Sequence, residues 1–210
     1  MEANIIVVGL GPGSKEHLSL GAWDIIRNAD NLFLRTTNHP VVEWFDENGI
    51  DYRSFDEYYD KCSSFEKVYK SIANSILTET KSGTVVFAVP GHPLVAEKSV
   101  EIIMELARQK QISVKVIPGI SFVDLICTYL GKGIDNRPVL VDGLKLETWK
   151  PDLTSGYIIY QVFDRLIAAD VKIELLEYYP PEFMVQVIRA VGISDMERIE
   201  SVPLYKIDRF

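Results

Sequence analysis

Asn4-Ile5-Ile6-Val7-Val8-Gly9-Leu10-Gly11-Pro12-Gly13-Ser14 is the stretch that decides the fold of this chain. Ile5 to Val8 are four β-branched residues in a row, apolar toward both faces, which is the pattern of a strand buried inside a parallel sheet. Glycines at 9, 11 and 13 follow, and a helical pattern begins at Ser19-Leu20-Gly21-Ala22-Trp23-Asp24-Ile25-Ile26. Glycine lets a turn adopt φ > 0 and lets a ligand lie directly against the main chain. A glycine-rich turn at the carboxyl end of a first parallel strand is where open α/β sheets take their ligands.

Working outward, the same unit recurs twice. Ser64 to Thr80 reads as a helix with Phe65, Val68, Tyr69, Ile72, Ile76 and Leu77 at steps of three and four. Thr84 to Val89 follows as a buried strand, then the turn Pro90-Gly91-His92-Pro93 and a helix over Ala96–Lys110. Ser113 to Ile117 is the next strand, with the turn Pro118-Gly119-Ile120-Ser121 and a helix to Leu130, where Ser121 and Asp124 have capping-box spacing. Shorter elements lie between: a helix over Ser19–Asn28, a strand at Asn31–Leu34, a helix from Val41 stopped by Asn48-Gly49, and a third strand at Asp51–Phe55. Asp56 to Ser64 reads as an acidic, aromatic loop with room for one helical turn. In a parallel sheet the turns at Gly9, Gly91 and Gly119 share one edge.

The pattern changes at Gly131–Pro138, which reads as a linker. Beyond it come short strands at Val139–Val141 and Gly156–Val162 around a polar loop at Lys145–Ser155, a helix over Asp164–Glu177, and two neighbouring strands, Phe183–Val191 and Arg198–Leu204, joined through Gly192. No glycine-turned parallel unit is visible there. The expected fold is α/β: a parallel-sheet N-terminal domain over residues 1–132, a smaller mixed α/β domain over 138–210, and a cleft between them.

Composition bounds the function. The 210 residues are 47% apolar and 25% charged, ordinary for a globular chain. No stretch reaches the roughly 18 apolar residues of a membrane helix, and the N-terminus lacks a signal-peptide pattern. Cys62 and Cys127 form neither a disulfide framework nor a metal spacing, which fits a cytoplasmic protein. His17, His39 and His92 make no zinc motif; His17 and His39 read as surface or structural. A net charge of −8 argues against nucleic acid as a partner.

A dinucleotide fingerprint needs glycine where Ser14 stands and an acidic residue near Leu34-Arg35-Thr36, and no Gly-Lys-Ser/Thr follows the glycines, so both common nucleotide loops fail. Gly9-Leu10-Gly11-Pro12-Gly13, Val89-Pro90-Gly91-His92-Pro93 and Ile117-Pro118-Gly119-Ile120-Ser121, taken in order, resemble the tetrapyrrole (corrin/porphyrin) methylase family of S-adenosylmethionine-dependent methyltransferases. His92 stands where that motif usually has aspartate. Val89–Glu97, Val141-Asp142-Gly143-Leu144, Gln161-Val162-Phe163-Asp164-Arg165 and Pro203–Arg209 are similar to the methylase-like N-terminal domain of proteins that carry a MazG-type nucleotide pyrophosphohydrolase domain, which makes this chain an expected piece of such a fusion.

The resemblance implies a methyl donor, S-adenosylmethionine (S-adenosylhomocysteine as product), held by Leu10, Gly11, Pro12, Gly13, Gly91, His92, Val95, Ser121, Phe122 and Gln161, with no metal and no assigned catalytic residue. It also implies a small-molecule or macrocyclic substrate and a homodimer. For an anionic tetrapyrrole, Arg137, Lys145, Lys150 and Arg165 are the basic candidates. Structural readings stand beside these: Ser121 and Asp164 as helix caps, Gln161 as an ordinary strand residue, and Tyr58, Tyr59 and Phe65 as packing under a loop or walling a flat substrate. The alternative function is a non-catalytic ligand-binding and dimerisation module attached to the MazG-type domain.

Overall fold

The computed structural model describes residues 3–133 and 138–210. Half of the linker expected at Gly131–Pro138, including Arg137, lies outside the described residues. Two compact units form, Met1–Leu125 with Val191–Asp195 and Ile126–Ala190 with Met196–Phe210.

In the first unit, strands β1 (Ile5–Gly9), β2 (Leu32–Leu34), β3 (Arg53–Ser54), β4 (Val85–Val89) and β5 (Val114–Ile117) make one parallel sheet in the order β3-β2-β4-β1-β5. β1, β2 and β4 read as unbroken apolar runs because both faces are covered, whereas the edge strands β3 and β5 carry Arg53, Ser54 and Lys115. Ile5, Val7, Val85, Phe87 and Val89 pack into a core with Val68, Ile72, Ala73 and Ile76 of helix α4 (Phe65–Glu79) and Val100 and Ile103 of α5 (Lys98–Gln109). Val8, Leu10, Val86 and Ala88 point the other way, onto Ala22 and Ile26 of α1 (Leu20–Arg27) and Val41 and Phe45 of α2 (Val41–Glu47). Alternation along each strand therefore feeds two cores, one per face.

Two local readings change. Asp56–Lys61 is helical (α3), with Tyr58 and Tyr59 packed against the α4 face. Helix α5 starts at Lys98, because Ala96 takes a left-handed φ of 57° and Glu97 caps the helix by accepting from Ser99 N.

The second unit holds a parallel pair, β6 (Val139–Asp142) with β7 (Tyr157–Tyr160), and an antiparallel pair, β8 (Met184–Arg189) with β9 (Arg198–Pro203). The parallel pair is a departure from the sequence reading: its crossover carries only the 3-10 turn Leu146–Thr148 and so has no helical signature. Helix α7 (Arg165–Leu176) is capped by Asp164, which accepts from Ile167 N at 2.8 Å, and buries Val171 and Leu175 against Val141, Leu146 and Leu204.

The turns after β1, β4 and β5 touch backbone to backbone. A Cβ on Gly119 would stand 2.4 Å from Gly91 O and 2.9 Å from Gly9 C, and one on Gly9 would stand 2.6 Å from both Gly119 N and Gly91 O. Both positions are thus closed to any side chain. Gly21, on α1, has nothing within 4 Å of the place a Cβ would take. Gly119→Ala should therefore destabilise the chain by about 1–3 kcal/mol through overpacking, while Gly21→Ala should stabilise it by about 0.5–1 kcal/mol by restricting the unfolded chain. Urea unfolding midpoints at unchanged m check both.

Candidate functional site

The three turns gather at the carboxyl edge of the sheet, and β1 and β4 lie side by side where the strand order reverses. Gly11 and Gly91 exchange both main-chain hydrogen bonds: Gly11 N–H donates to Gly91 O at 3.2 Å, and Gly91 N–H donates to Gly11 O at 2.7 Å. Gly11 (φ 77°) and Gly91 (φ 67°) are both left-handed, as only glycine does without strain.

The expected donor residues divide by what they touch. Leu10 is fully buried in the core, so only its main chain faces the edge. Gly13 packs on Gly192, whose carbonyl would lie 1.7 Å from a Cβ at 13 and accepts from Ser14 N at 3.1 Å. A Cβ on Gly11 would strike His17. Gly91 differs: nothing lies within 4 Å of its Cβ position, so its main chain borders open space. Pro12, His92, Val95 and Phe122 are half-buried beside these turns. Ser121 is buried and caps α6 (Phe122–Leu130) in the reciprocal arrangement its spacing predicts, with Ser121 N–H donating to Asp124 Oδ2 at 2.7 Å and Asp124 N–H donating to Ser121 Oγ at 3.3 Å. Gln161 belongs to the second unit, where it is exposed with φ 65°.

His92 Nδ1 accepts from Leu94 N–H at 3.1 Å. An aspartate carboxylate makes the same turn. The imidazole thus supplies, through Nδ1, the acceptor that this turn asks for.

Two features at the exit of β2 go beyond the sequence reading, which takes His39 as surface or structural and gives Arg35 no partner. His39, 8% exposed, bridges turns: its Nε2 lies 2.9 Å from Gly11 O, and its Nδ1 accepts from Val41 N–H at 3.3 Å. That pairing assigns the proton to Nε2, which donates to Gly11. Burial holds its pKa below the ordinary histidine value, the Gly11 bond opposing and the charges of Arg35 and His17 adding to the depression.

Arg35 lies 3.1 Å through Nε from Glu97 Oε2, with side chains 21% and 8% exposed, and its Nη1 donates to Tyr59 OH at 2.8 Å. Burial alone would lower the Arg35 pKa, but Glu97, Tyr59 and Tyr69 outweigh it and the net shift is upward. Burial raises the Tyr59 phenol, with Arg35 opposing. Phe65 lies across Tyr59 and Tyr69 with ring centroids 6.3 Å from each, and it is half exposed, whereas Tyr58 is tied to Ser75 at 2.7 Å. Of the basic candidates, Lys145 pairs with Asp142 at 3.4 Å, and Lys150 and Arg165 are exposed. Among the described residues no group of three or more His, Cys, Asp or Glu side chains could hold a metal, and no helix is long and apolar enough to cross a membrane. A concavity of about 440 Å3 lined by Leu144, Leu146, Glu147, Ile167, Asp170 and Glu174 involves none of the turn residues.

The first unit is a parallel α/β fold whose three glycine turns meet at one sheet edge. The sequence profile of the Tetrapyrrole (Corrin/Porphyrin) Methylases matches residues 4–208, and the chain belongs to that family. It is 37% identical over 209 residues to YabN of Bacillus subtilis (strain 168), covering all of this chain and 42% of that protein. It is 32% identical over 139 residues to the chloroplastic S-adenosyl-L-methionine-dependent uroporphyrinogen III methyltransferase of Arabidopsis thaliana, covering 65% of this chain and 36% of that protein. The matched stretches thus span less than half the length of these relatives. The crystal structure of uroporphyrin-III-C-methyltransferase from Thermus thermophilus superposes with a TM-score of 0.71 over 97% of this chain and 84% of that one at 20% identity, a likeness of fold.

Glu97→Gln keeps an acceptor for Ser99 but removes the charge facing Arg35. It should cost about 3 kcal/mol, the lower end for breaking a buried pair because Arg35 is partly exposed; chemical denaturation measures it. For His39, the folded ring stays neutral below the pH at which the unfolded chain's histidine, pKa about 6.5, takes up its proton. The unfolded state then binds more protons, so stability falls as pH drops from about 6.5 toward the lower folded value. His39→Gln, whose amide can still donate to Gly11 O, should remove that component from the pH profile of unfolding.

Proposed function

We propose that the chain is an S-adenosylmethionine-dependent methyltransferase whose donor is held at the turns of the first unit. The observation that carries this reading is Gly91, a left-handed glycine locked to Gly11 by two hydrogen bonds and open to space at its Cβ, in a chain of the tetrapyrrole methylase family. The residues fit such a ligand. An adenosyl group needs close main-chain approach and a few hydrogen bonds. Gly91 and the main chain of Leu10 and Gly11 supply the approach, and Pro12, Val95 and Phe122 the apolar borders. His92 and Ser121 complete the set. Gln161 is assigned to the donor by the sequence resemblance alone.

When bound, the donor supplies an electrophilic methyl group on a sulfonium. The chain's part is to hold that group in line with the acceptor and keep water away, which requires no dedicated acid–base pair. The substrate we infer is small or macrocyclic, with tetrapyrroles the leading class by family.

A second reading makes the same unit a non-catalytic ligand-binding and dimerisation module beside a MazG-type domain. It draws on the sequence resemblance and on the greater length of the YabN relative.

Calorimetric titration with S-adenosylmethionine, S-adenosylhomocysteine and NADH tests the first reading. Both adenosyl ligands should bind in the micromolar range and NADH should not. Gly91→Asn fills the open space with a residue that tolerates φ > 0; it should keep the unfolding midpoint within about 1 kcal/mol of the parent and weaken binding at least tenfold. Absence of heat from both adenosyl ligands would sink the donor site. Binding without methyl transfer to any tetrapyrrole supports the second reading.

A further inference from the structure

Four of the chain's nine arginines line one concavity of about 220 Å3 in the second unit: Arg165, Arg189, Arg198 and Arg209, with Val187, Glu200 and Phe210. They come from three separate stretches of chain, the start of α7, the β8–β9 hairpin and the 3-10 turn Leu204–Arg209. In a protein of net charge −8 this is a local reversal of sign.

Register makes the reversal costly. Arg189 and Arg198 are direct partners across the antiparallel ladder, and like charges placed opposite one another destabilise a sheet. On the same face, Val187 opposes Glu200 and Val185 opposes Val202. Arg27, Arg35 and Arg53 each pair with a carboxylate. Among the described residues none of the four clustered arginines does so within 4 Å, and Arg198 donates only to the main-chain oxygen of Glu197, at 2.9 Å. Glu200 is the single carboxylate side chain at the rim, leaving three positive charges uncompensated among the lining side chains.

From this arrangement we propose that the concavity is a binding site for a small multivalent oxyanion, a diphosphate or a polycarboxylate. Guanidinium groups match the paired oxygens of both through parallel N–H donors. Facing arginines leave room for an anion that bonds to two or more of them at once, and such an anion relieves the repulsion built into the strand pair. The volume suits a headgroup rather than a whole cofactor. This site lies wholly within the second unit and is independent of the methyl-donor reading.

The test is thermal unfolding and calorimetric titration of the chain with sodium pyrophosphate and with trisodium citrate, against sodium chloride at matched ionic strength. One or both oxyanions should raise the midpoint by about 3 °C beyond chloride, and whichever binds more tightly identifies phosphate or carboxylate chemistry. The double variant Arg189→Gln/Arg198→Gln should lose that shift and, at low salt without oxyanion, melt above the parent. Arg165→Gln, outside the ladder, should weaken binding several-fold with the hairpin untouched, and Glu200→Gln should tighten it. Equal midpoints in all three salts, or an oxyanion shift that survives in the double variant, would overturn the proposal in favour of a solvated basic face.

Discussion

The first unit depends on one steric constraint: the main chains of Gly9, Gly91 and Gly119 occupy space that any Cβ would need. It follows from the sheet order. β1 sits between β4 and β5, so the turns leaving these three strands emerge side by side, and their chains meet before they diverge into helices. The glycines therefore do two different jobs. Gly9 and Gly119 are closed off by one another and by Gly91, which makes them structural. Gly91 is the member of the trio whose outer side is open, with nothing within 4 Å of its Cβ position. Gly13 belongs with the first kind, since its contact is Gly192.

A second layer of constraint comes from the exit of β2. His39 donates to the same carbonyl, Gly11 O, that accepts from Gly91 N–H, so one oxygen couples the first turn to both the second turn and the start of α2. Arg35, a few residues earlier, is pinned by Glu97 from the loop after β4 and by Tyr59 from α3. Ala96 is held left-handed immediately before Glu97. A strained non-glycine backbone persists where the surroundings over-determine it, and here the buried ion pair supplies that over-determination. The loop after β4 is thus fixed at both ends: at Gly91 by main-chain bonds, and at Glu97 by charge.

The parallel sheet was legible in the sequence because burial on both faces writes itself as unbroken β-branched runs, as in Ile5–Val8 and Val85–Val89. Glycine turns after those runs marked the edge at which the three turns meet. What was not legible rests on contacts between residues distant in sequence. Nothing local to His39 announces that its ring reaches Gly11, 28 positions away. Nothing near Arg35 announces Glu97. Helix α3 lay hidden because Asp56-Glu57-Tyr58-Tyr59-Asp60-Lys61 buries only part of one turn and so shows no periodicity. The parallel β6–β7 pair lay hidden because its crossover lacks a helix.

The histidine at position 92 shows how a change of charge can leave a turn intact. The bond from Leu94 N–H asks only for an acceptor two residues back, and the imidazole Nδ1 provides one as an aspartate would. What changes is the field. A carboxylate there would attract a cation directly, and an imidazole lacks that fixed negative charge. Glu97, on the same loop, has its charge committed to Arg35, and Asp124 of the third turn is bonded to Ser121. Glu97 is therefore buried and paired while Asp124 is exposed, so the field at these turns is set by the main-chain groups of Gly11 and Gly91 together with the Asp124 side chain.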